Sequence, residues 1–230
     1  MIPSNFNYHK ANTLKDAFAL SSSLGEEAKY MSGGHSLLPM MKLRFATPTD
    51  IIDISKIEGL SYIREEDNLL KIGALTTQVE MERSSLIEEK YPIFKDASKL
   101  IADPAVRNCG TIGGNIAHGD AANDQPSLMI ALRANFVVEG PNGKRNISVD
   151  DFFHGFYMTS LDPSEILVEI QIPQYVDGSG SAYHKVERKV GDYATSGAAV
   201  YLELDGSEYC KQIGIGPVSY THLTLPTIRS

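Results

Sequence analysis

Two pairs of adjacent glycines are the residues of this sequence whose type and spacing most clearly indicate binding chemistry. Gly33-Gly34 lies within Met31-Ser-Gly-Gly-His-Ser36, and Gly113-Gly114 lies within Thr111-Ile-Gly-Gly-Asn115. Glycine lets the backbone adopt positive φ and lets a ligand approach the main chain closely. Consecutive N–H groups in such a turn form an anion site, which is stronger where a helix begins just after it. Two loops of this kind can hold the two phosphates of one pyrophosphate, so they favour a dinucleotide cofactor.

The composition is that of a globular protein and excludes several other classes. Of the 230 residues, 42% are hydrophobic and 22% are charged, and the net charge is −8. These values are ordinary for a globular domain, and the acidic balance argues against a nucleic-acid partner. No apolar run approaches the roughly 20 residues of a transmembrane segment. The N-terminus lacks the apolar centre of a signal peptide, so we expect a cytoplasmic protein.

Cysteines and other metal-ligating residues are sparse. Cys109 and Cys210 are too few for a disulfide scaffold or for an iron–sulfur cluster with four thiolates. Any redox group held by this chain must therefore be organic, and we expect both cysteines to be buried as small apolar side chains. His118, Asp120 and Asp124 have metal-binding side chains, but further ligands at zinc-like spacing are missing, so no metal is expected.

The elements that carry the first glycine pair form a small parallel unit in residues 1–55. Thr13 and Asp16 have the spacing of a capping box and predict a helix after them. Lys29–Met31 and Ile51–Ile54 are typical of short strands on either side of the first loop. A strand–helix–strand order favours a parallel sheet.

The elements that carry the second pair belong to residues 56–216 and have a different character. Ile93–Ile101 predicts a helix, and Gly140-Pro-Asn-Gly143 predicts a hairpin turn. The alternation of apolar residues over Glu165–Ile172 predicts a half-buried strand. Two further strands are predicted at Tyr183–Glu187 and Ala198–Leu204. Strands joined by hairpins indicate an antiparallel sheet.

Taken together, the segments Ser32–Arg44 and Thr111–Asp124 resemble the FAD-binding medium subunit of molybdenum hydroxylases. This is the family of the carbon monoxide dehydrogenase and xanthine dehydrogenase flavoprotein subunits. The resemblance runs from Tyr8 to about Gly216 and is strengthened by Lys185–Tyr193. It implies an α+β, two-subdomain FAD-binding fold, with a small parallel α/β subdomain and a larger subdomain of antiparallel sheet and helices. FAD would lie in the cleft between the two subdomains.

The C-terminal end departs from the family pattern. Residues 217–230 are treated as a doubtful tail, because Ser219–Ser230 has no acidic residue and no turn signal. In the family a further C-terminal domain normally follows at this point, and we expect it to be missing here.

The resemblance also implies roles for individual residues, none of them catalytic. Residues 31–38 and 111–115 would form the pyrophosphate loops. Asp124 would accept hydrogen bonds from the adenosine half of FAD, and Lys185 would lie near the polar edge of the isoalloxazine. The backbone of Leu167 would meet the cofactor, and Ile101 and Tyr193 would lie against the ring faces. The cofactor-binding residues so predicted are Met31, Ser32, Gly33, Gly34, His35, Ser36, Leu37, Leu38, Ile101, Thr111, Ile112, Gly113, Gly114, Asn115, Asp124, Leu167, Lys185 and Tyr193.

The function implied by the resemblance is electron transfer within a complex. The partners would be a molybdopterin-containing large subunit and a small subunit with [2Fe-2S] clusters, and the flavin would pass electrons to NAD+ or a quinone. Two alternatives remain open. One is a stand-alone flavin oxidase or dehydrogenase, in which His35 could attach FAD covalently. The other is a truncated, non-catalytic docking module.

Overall fold

The computed structural model describes residues 2–218, which form thirteen strands and eight α-helices. The strands are Asn7–Lys10 (β1), Ala28–Met31 (β2), Asp50–Asp53 (β3), Ile63–Glu66 (β4), Leu69–Gly73 (β5), Asn135–Gly140 (β6), Gly143–Ser148 (β7), Phe153–Gly155 (β8), Met158–Thr159 (β9), Ile166–Pro173 (β10), Ser179–Val186 (β11), Ser196–Leu204 (β12) and Cys210–Val218 (β13). The helices are Leu14–Leu24 (α1), Leu37–Leu43 (α2), Gln78–Arg83 (α3), Ser85–Lys90 (α4), Pro92–Ser98 (α5), Pro104–Cys109 (α6), Ile112–His118 (α7) and Asp124–Ala131 (α8).

The first layer of the fold is a three-stranded parallel sheet in the order β1-β3-β2. The predicted capping box precedes α1: the Thr13 hydroxyl accepts from the Asp16 N–H at 3.1 Å, and the Asp16 carboxylate accepts from the Thr13 N–H at 3.0 Å. This reciprocal pair satisfies two backbone donors that a helix start leaves unpaired. The first glycine pair follows β2 directly and leads into α2.

The second layer contains the antiparallel sheets. A five-stranded sheet has the order β4-β5-β10-β6-β7, and a separate three-stranded sheet has the order β11-β12-β13. Helix α8 packs against β12 and β13. The predicted hairpin is confirmed, because β6 and β7 pair up to Gly140 opposite Gly143. The predicted α+β fold, a parallel layer beside antiparallel sheets and helices, is thus the observed one.

Strand β10 joins the two layers because both of its faces are buried. Ile166 and Val168 pack in a core with residues of the parallel layer such as Ile52, while Ile170 and Ile172 lie in the larger core with the helices. A bulge between Leu167 and Glu169 shifts the register and turns the later residues to the opposite face. The predicted strand is confirmed, but residues 166–168 are buried on both faces rather than on one, since periodicity alone does not reveal a bulge.

Three other sequence-based expectations concern the cysteines, the C-terminal tail and the domain boundary. Cys109 and Cys210 are both exposed, so the expectation that they are buried was wrong. Pro217 and Val218, the last residues of β13, pair with Ala198 and Gly197 of β12, and the rest of the predicted tail lies outside the described residues. The division at residue 55 stays a prediction. None of the helices between residues 2 and 218 is both long enough and apolar enough to cross a bilayer.

Candidate functional site

A cleft of about 690 Å³ lies where the parallel layer meets β10 and α7. This volume is within the range of roughly 300–1,000 Å³ that is usual for small-molecule and cofactor sites. Three of the predicted residues, Leu38, Ile112 and Lys185, do not line the cleft. The predicted residues that do line it are Met31, Ser32, Gly33, Gly34, His35, Ser36, Leu37, Ile101, Thr111, Gly113, Gly114, Asn115, Asp124, Leu167 and Tyr193.

The two glycine pairs, far apart in the sequence, touch each other at the floor of this cleft. The hydroxyl oxygens of Ser32 and Thr111 are 3.0 Å apart and share a hydrogen bond. A Cβ built on Gly33 would overlap the carbonyl oxygen of Cys109, so the first loop lies directly on the backbone that precedes the second. A Cβ on Gly114 would lie 2.7 Å from the Ser32 hydroxyl oxygen. Only glycine permits this approach of one main chain to another.

The first loop presents backbone donors to the cleft. Among the residues that the structure describes, nothing accepts a hydrogen bond from the N–H groups of residues 33–36. Gly34 has φ +73°, a left-handed backbone conformation that residues with a side chain rarely adopt. The loop closes into α2 through a bond from the Leu38 N–H to the Gly34 carbonyl at 3.0 Å. Consecutive unpaired N–H groups in such a turn are suited to binding an anion.

The segment predicted as the second loop is in the structure the start of α7, with Gly113 and Gly114 in its first turn, and its backbone donors are already engaged. The Ile112 and Gly113 N–H groups donate to the carbonyls of Thr76 and Ala74, each at 2.9 Å. The Gly114 N–H donates to the hydroxyl of Thr111, which caps α7. Gly113 is needed for contact with the chain rather than with a ligand, since its Cβ would lie 2.7 Å from the Ala74 carbonyl oxygen. This differs from the expectation that both loops bind phosphate through consecutive N–H groups.

What the second loop offers to the cleft is a polar side chain. The side-chain oxygen of Asn115 is buried and has no hydrogen-bond partner among residues 2–218. Nearby, the amide nitrogen of Gln78 is likewise buried without an acceptor in the described chain. Buried polar atoms are costly when unpaired. Both residues line the cleft, and a ligand with hydroxyl and carbonyl groups could satisfy them.

Asp124, the first residue of α8, accepts hydrogen bonds from two residues of the edge strand β11. One carboxylate oxygen accepts a short hydrogen bond from the Tyr183 hydroxyl, and the other accepts from the Lys185 ammonium at 3.1 Å. Lys185 also donates to the Leu100 carbonyl at 3.0 Å and lies 3.2 Å from Glu187. Its side chain is only 1% exposed, so it belongs to the wall behind Asp124.

The burial of this cluster changes its acid–base properties. Burial raises the pKa of Asp124, and the carboxylate of Glu187 raises it further. The hydrogen bond from Tyr183 and the charge of Lys185 act in the opposite direction and favour the ionised form. Burial and the neighbouring carboxylate raise the pKa of Tyr183, so this hydroxyl remains a donor.

Ile101 and Tyr193 also line the cleft and are brought onto neighbouring segments. Gly191 has φ +90°, and its Cβ would lie 2.7 Å from the Ala102 carbonyl oxygen, so the loop before Tyr193 rests on the chain after Ile101. Tyr193 is 64% exposed, whereas Ile101 is buried. Leu167 reaches the same cleft from the bulged part of β10. These positions provide apolar surface for a flat ring system.

Several lining residues were missed by sequence reasoning. The ring of Tyr157 lies 4.9 Å from that of His118, and the Tyr157 N–H donates to the Gly119 carbonyl at 2.9 Å. Burial lowers the pKa of His118, which favours its neutral form. Nothing in the sequence around Tyr157 indicates this position. The position of Gln78 at the start of a helix was predictable, since Thr77 and Glu80 have the spacing of a capping box and form one before α3.

Known proteins are similar to this chain in sequence and in fold. Residues 4–175 match the family described as FAD binding domain in molybdopterin dehydrogenase. The carbon monoxide dehydrogenase medium chain of Hydrogenophaga pseudoflava is 51% identical over 90% of this chain and 72% of the relative, and that of Afipia carboxidovorans is 46% identical over 94% and 75%. A solved structure of the Hydrogenophaga pseudoflava enzyme lacking the Mo-pyranopterin moiety superposes with a TM-score of 0.91 at 50% identity, covering 95% of this chain and 76% of that one.

The chain therefore belongs to the family of FAD-binding domains of molybdopterin dehydrogenases. It is an oxidoreductase flavoprotein subunit of the xanthine dehydrogenase and carbon monoxide dehydrogenase type, and the prediction of FAD as its cofactor is confirmed. The cleft fits that cofactor, because it offers unpaired N–H groups for phosphates and unpaired buried amide atoms for hydroxyl or carbonyl groups. Among residues 2–218, no group of three or more His, Cys, Asp or Glu side chains could hold a metal ion.

We predict that Gly33→Ala lowers FAD affinity by about 5- to 150-fold. The added methyl group overlaps the Cys109 carbonyl and must push the loops apart. Overpacking of this kind typically costs about 1–3 kcal/mol, and since about 1.4 kcal/mol is a factor of ten, this cost corresponds to the expected loss of affinity. FAD content and the dissociation constant measure the effect. Gly180→Ala is the matched control, because its Cβ would meet no atom within 4 Å. Wild-type affinity in Gly33→Ala would contradict the requirement for contact between the loops.

Proposed function

We propose that this chain is the FAD-binding electron-transfer subunit of a molybdenum hydroxylase. In this proposal it receives electrons from the [2Fe-2S] clusters of a small partner subunit and passes them to NAD+ or a quinone. A molybdopterin-containing large subunit would oxidise the substrate. The names of the relatives support this assignment, since both are medium chains of a carbon monoxide dehydrogenase. A cytoplasmic location is part of the proposal and rests on the N-terminal sequence.

The observation that carries the proposal is the contact between the two loops at the floor of the cleft. The hydroxyls of Ser32 and Thr111 join a loop of the parallel layer to a helix start of the antiparallel layer. One elongated ligand can therefore contact both layers at once. A dinucleotide has the required length and carries its phosphates at the centre.

Each part of the cleft has a proposed role toward FAD. The N–H groups of residues 33–36 bind the pyrophosphate, and the Asn115 side chain accepts a hydrogen bond from a cofactor hydroxyl. Asp124 accepts from the adenosine half with the lone pairs that its two protein partners leave free. Ile101 and Tyr193 pack against the ring system, and Leu167 contributes its backbone. FAD, when bound, supplies the redox chemistry that no amino-acid side chain here provides.

Lys185 supplies the positive charge of this wall. Its ammonium group is buried among Asp124, Glu187 and the Leu100 carbonyl, and it does not line the cleft. In the proposal its charge favours the ionised form of Asp124 and acts on the cofactor site through that carboxylate. No substrate-oxidising residue is assigned to this chain.

Electron transfer from an iron–sulfur partner is the direct test of the proposed function. We expect the visible flavin absorbance of the FAD-loaded chain to bleach when a reduced [2Fe-2S] subunit from a neighbouring reading frame is added without oxygen. The oxidised partner is the control and should cause no bleaching. Return of the absorbance on adding NAD+, or only on adding a quinone, identifies the acceptor. Bound FAD that stays oxidised with the reduced partner would contradict the proposal.

The role of Asp124 has a separate test. We expect Asp124→Ala to weaken FAD binding by roughly 1–3 kcal/mol, because a hydrogen bond to an ionised group contributes about that much. Fluorescence titration of the apo-protein with FAD gives the dissociation constant. Asp150→Ala, at an exposed position in the turn after β7, is the control and should bind like wild type. An unchanged constant in Asp124→Ala would show that this carboxylate serves only the packing of α8.

The stand-alone oxidase with covalent FAD remains the second candidate, because His35 is exposed and lines the cleft. We expect the cofactor to be bound non-covalently. Acid precipitation should therefore leave the yellow colour in the supernatant, with the same result for His35→Ala. Colour that stays with the wild-type pellet but not with the His35→Ala pellet would favour the oxidase. A purified chain that binds partners but no flavin would favour the docking module.

A further inference from the structure

A cluster of four ionisable side chains lies behind the wall of the cleft, and two of its members have no role so far. Tyr183, Lys185 and Glu187 are alternate residues of β11 and its C-terminal extension. Tyr183 and Lys185 contact Asp124 of α8, and Glu187 pairs with Lys185. Tyr183 is buried and does not line the cleft. Its hydroxyl makes one hydrogen bond within the described chain, to Asp124.

We propose that Tyr183 is a positioning residue for FAD. Its hydroxyl holds the Asp124 carboxylate ionised and oriented toward the cleft. The proposal rests on the role of Asp124 at FAD that is proposed above. Tyr183 itself does not touch the cofactor.

The geometry around the carboxylate carries the proposal. Tyr183 holds one oxygen of Asp124 and Lys185 holds the other, so the plane of the carboxylate is fixed before any ligand arrives. A group whose orientation is fixed in advance loses less conformational entropy on binding. Each carboxylate oxygen accepts more than one hydrogen bond, so the side facing the cleft keeps acceptor capacity.

The charges around Asp124 make the tyrosine necessary for this role. Lys185 is shared with Glu187, so its single positive charge faces two carboxylates. Asp120 accepts a hydrogen bond from the Tyr157 hydroxyl at 3.4 Å. Burial raises the pKa of Tyr193, and Asp120 and Asp124 both lie close enough to raise it further. His118 is favoured in its neutral form by burial. The Tyr183 hydroxyl is therefore the neutral donor that favours the ionised carboxylate without adding charge.

The test is the pH dependence of FAD binding to the 230-residue chain. A buried carboxylate with a raised pKa loses its charge as the pH falls, so FAD affinity should fall below that pKa. In Tyr183→Phe, one hydrogen bond to the ionised form is lost and the pKa rises further. We expect the midpoint of the affinity loss to move upward by about one to two pH units, the size that one charge-assisted hydrogen bond corresponds to. FAD is the probe, and its fluorescence gives the dissociation constant at each pH.

Two further variants separate positioning from packing. Tyr201→Phe removes a hydroxyl from the neighbouring strand, where the ring packs 5.1 Å from that of Tyr175, and should leave the midpoint unchanged. In an Asp124→Asn background the pH step should vanish, and adding Tyr183→Phe should change nothing more. Thermal unfolding of each apo-protein reports any loss of stability.

The outcomes distinguish the inference from the function on which it rests. An upward shift that disappears in the Asp124→Asn background supports the positioning role. A midpoint that stays in place in Tyr183→Phe, with or without lower stability, overturns it, as does a shift that persists without Asp124. Wild-type binding by Asp124→Asn at every pH overturns the proposed role of Asp124 itself, and the inference with it.

Discussion

The contact between the two glycine loops is the constraint on which the rest of this structure depends. The loop after β2 rests on the backbone at Cys109 without space for a side chain, and the hydroxyls of Ser32 and Thr111 join the two segments. This contact requires the parallel layer and the antiparallel layer to be held in one relative position. Strand β10 does so, because it buries Ile166 and Val168 toward one layer and Ile170 and Ile172 toward the other. Burial on both faces stabilises the arrangement through the hydrophobic effect.

The two loops share a sequence pattern and differ in physical role. The first leaves its N–H groups unpaired, whereas the second uses them to anchor α7 on the connection between β5 and α3. One loop is thus free to bind an anion, and the other builds a rigid wall that presents Asn115. The unpaired buried oxygen of Asn115 lowers the stability of the chain without ligand, and the N–H groups of residues 33–36 have no acceptor among the described residues. A cofactor that pairs with them adds its binding free energy to the stability of the fold.

Behind this wall, three charged side chains and a tyrosine are buried together. Charges that leave water are costly unless they are paired, and here Lys185 lies between Asp124 and Glu187. A cluster of this kind contributes little to stability by comparison with apolar packing. It does confine the Asp124 carboxylate to one orientation at the edge of the cleft, where apolar residues would provide no acceptor for a ligand. The wall therefore combines structural and cofactor-binding roles.

Local signals in the sequence determined the class of this protein and much of its fold. The first glycine pair, the Thr13–Asp16 capping box and the Gly140–Gly143 turn each depend on residues close in the chain, and they were correctly predicted as a loop, a helix start and a hairpin. The second glycine pair was wrongly predicted as a loop, since Gly113 and Gly114 begin α7. Tertiary structure alone decided the bulge that turns β10, the exposure of both cysteines, and the place of Tyr157 in the cleft. It also decided that Gly113 serves packing against Ala74 and that Asp124 meets Tyr183. These features depend on contacts between residues far apart in the chain, which periodicity and capping rules do not specify.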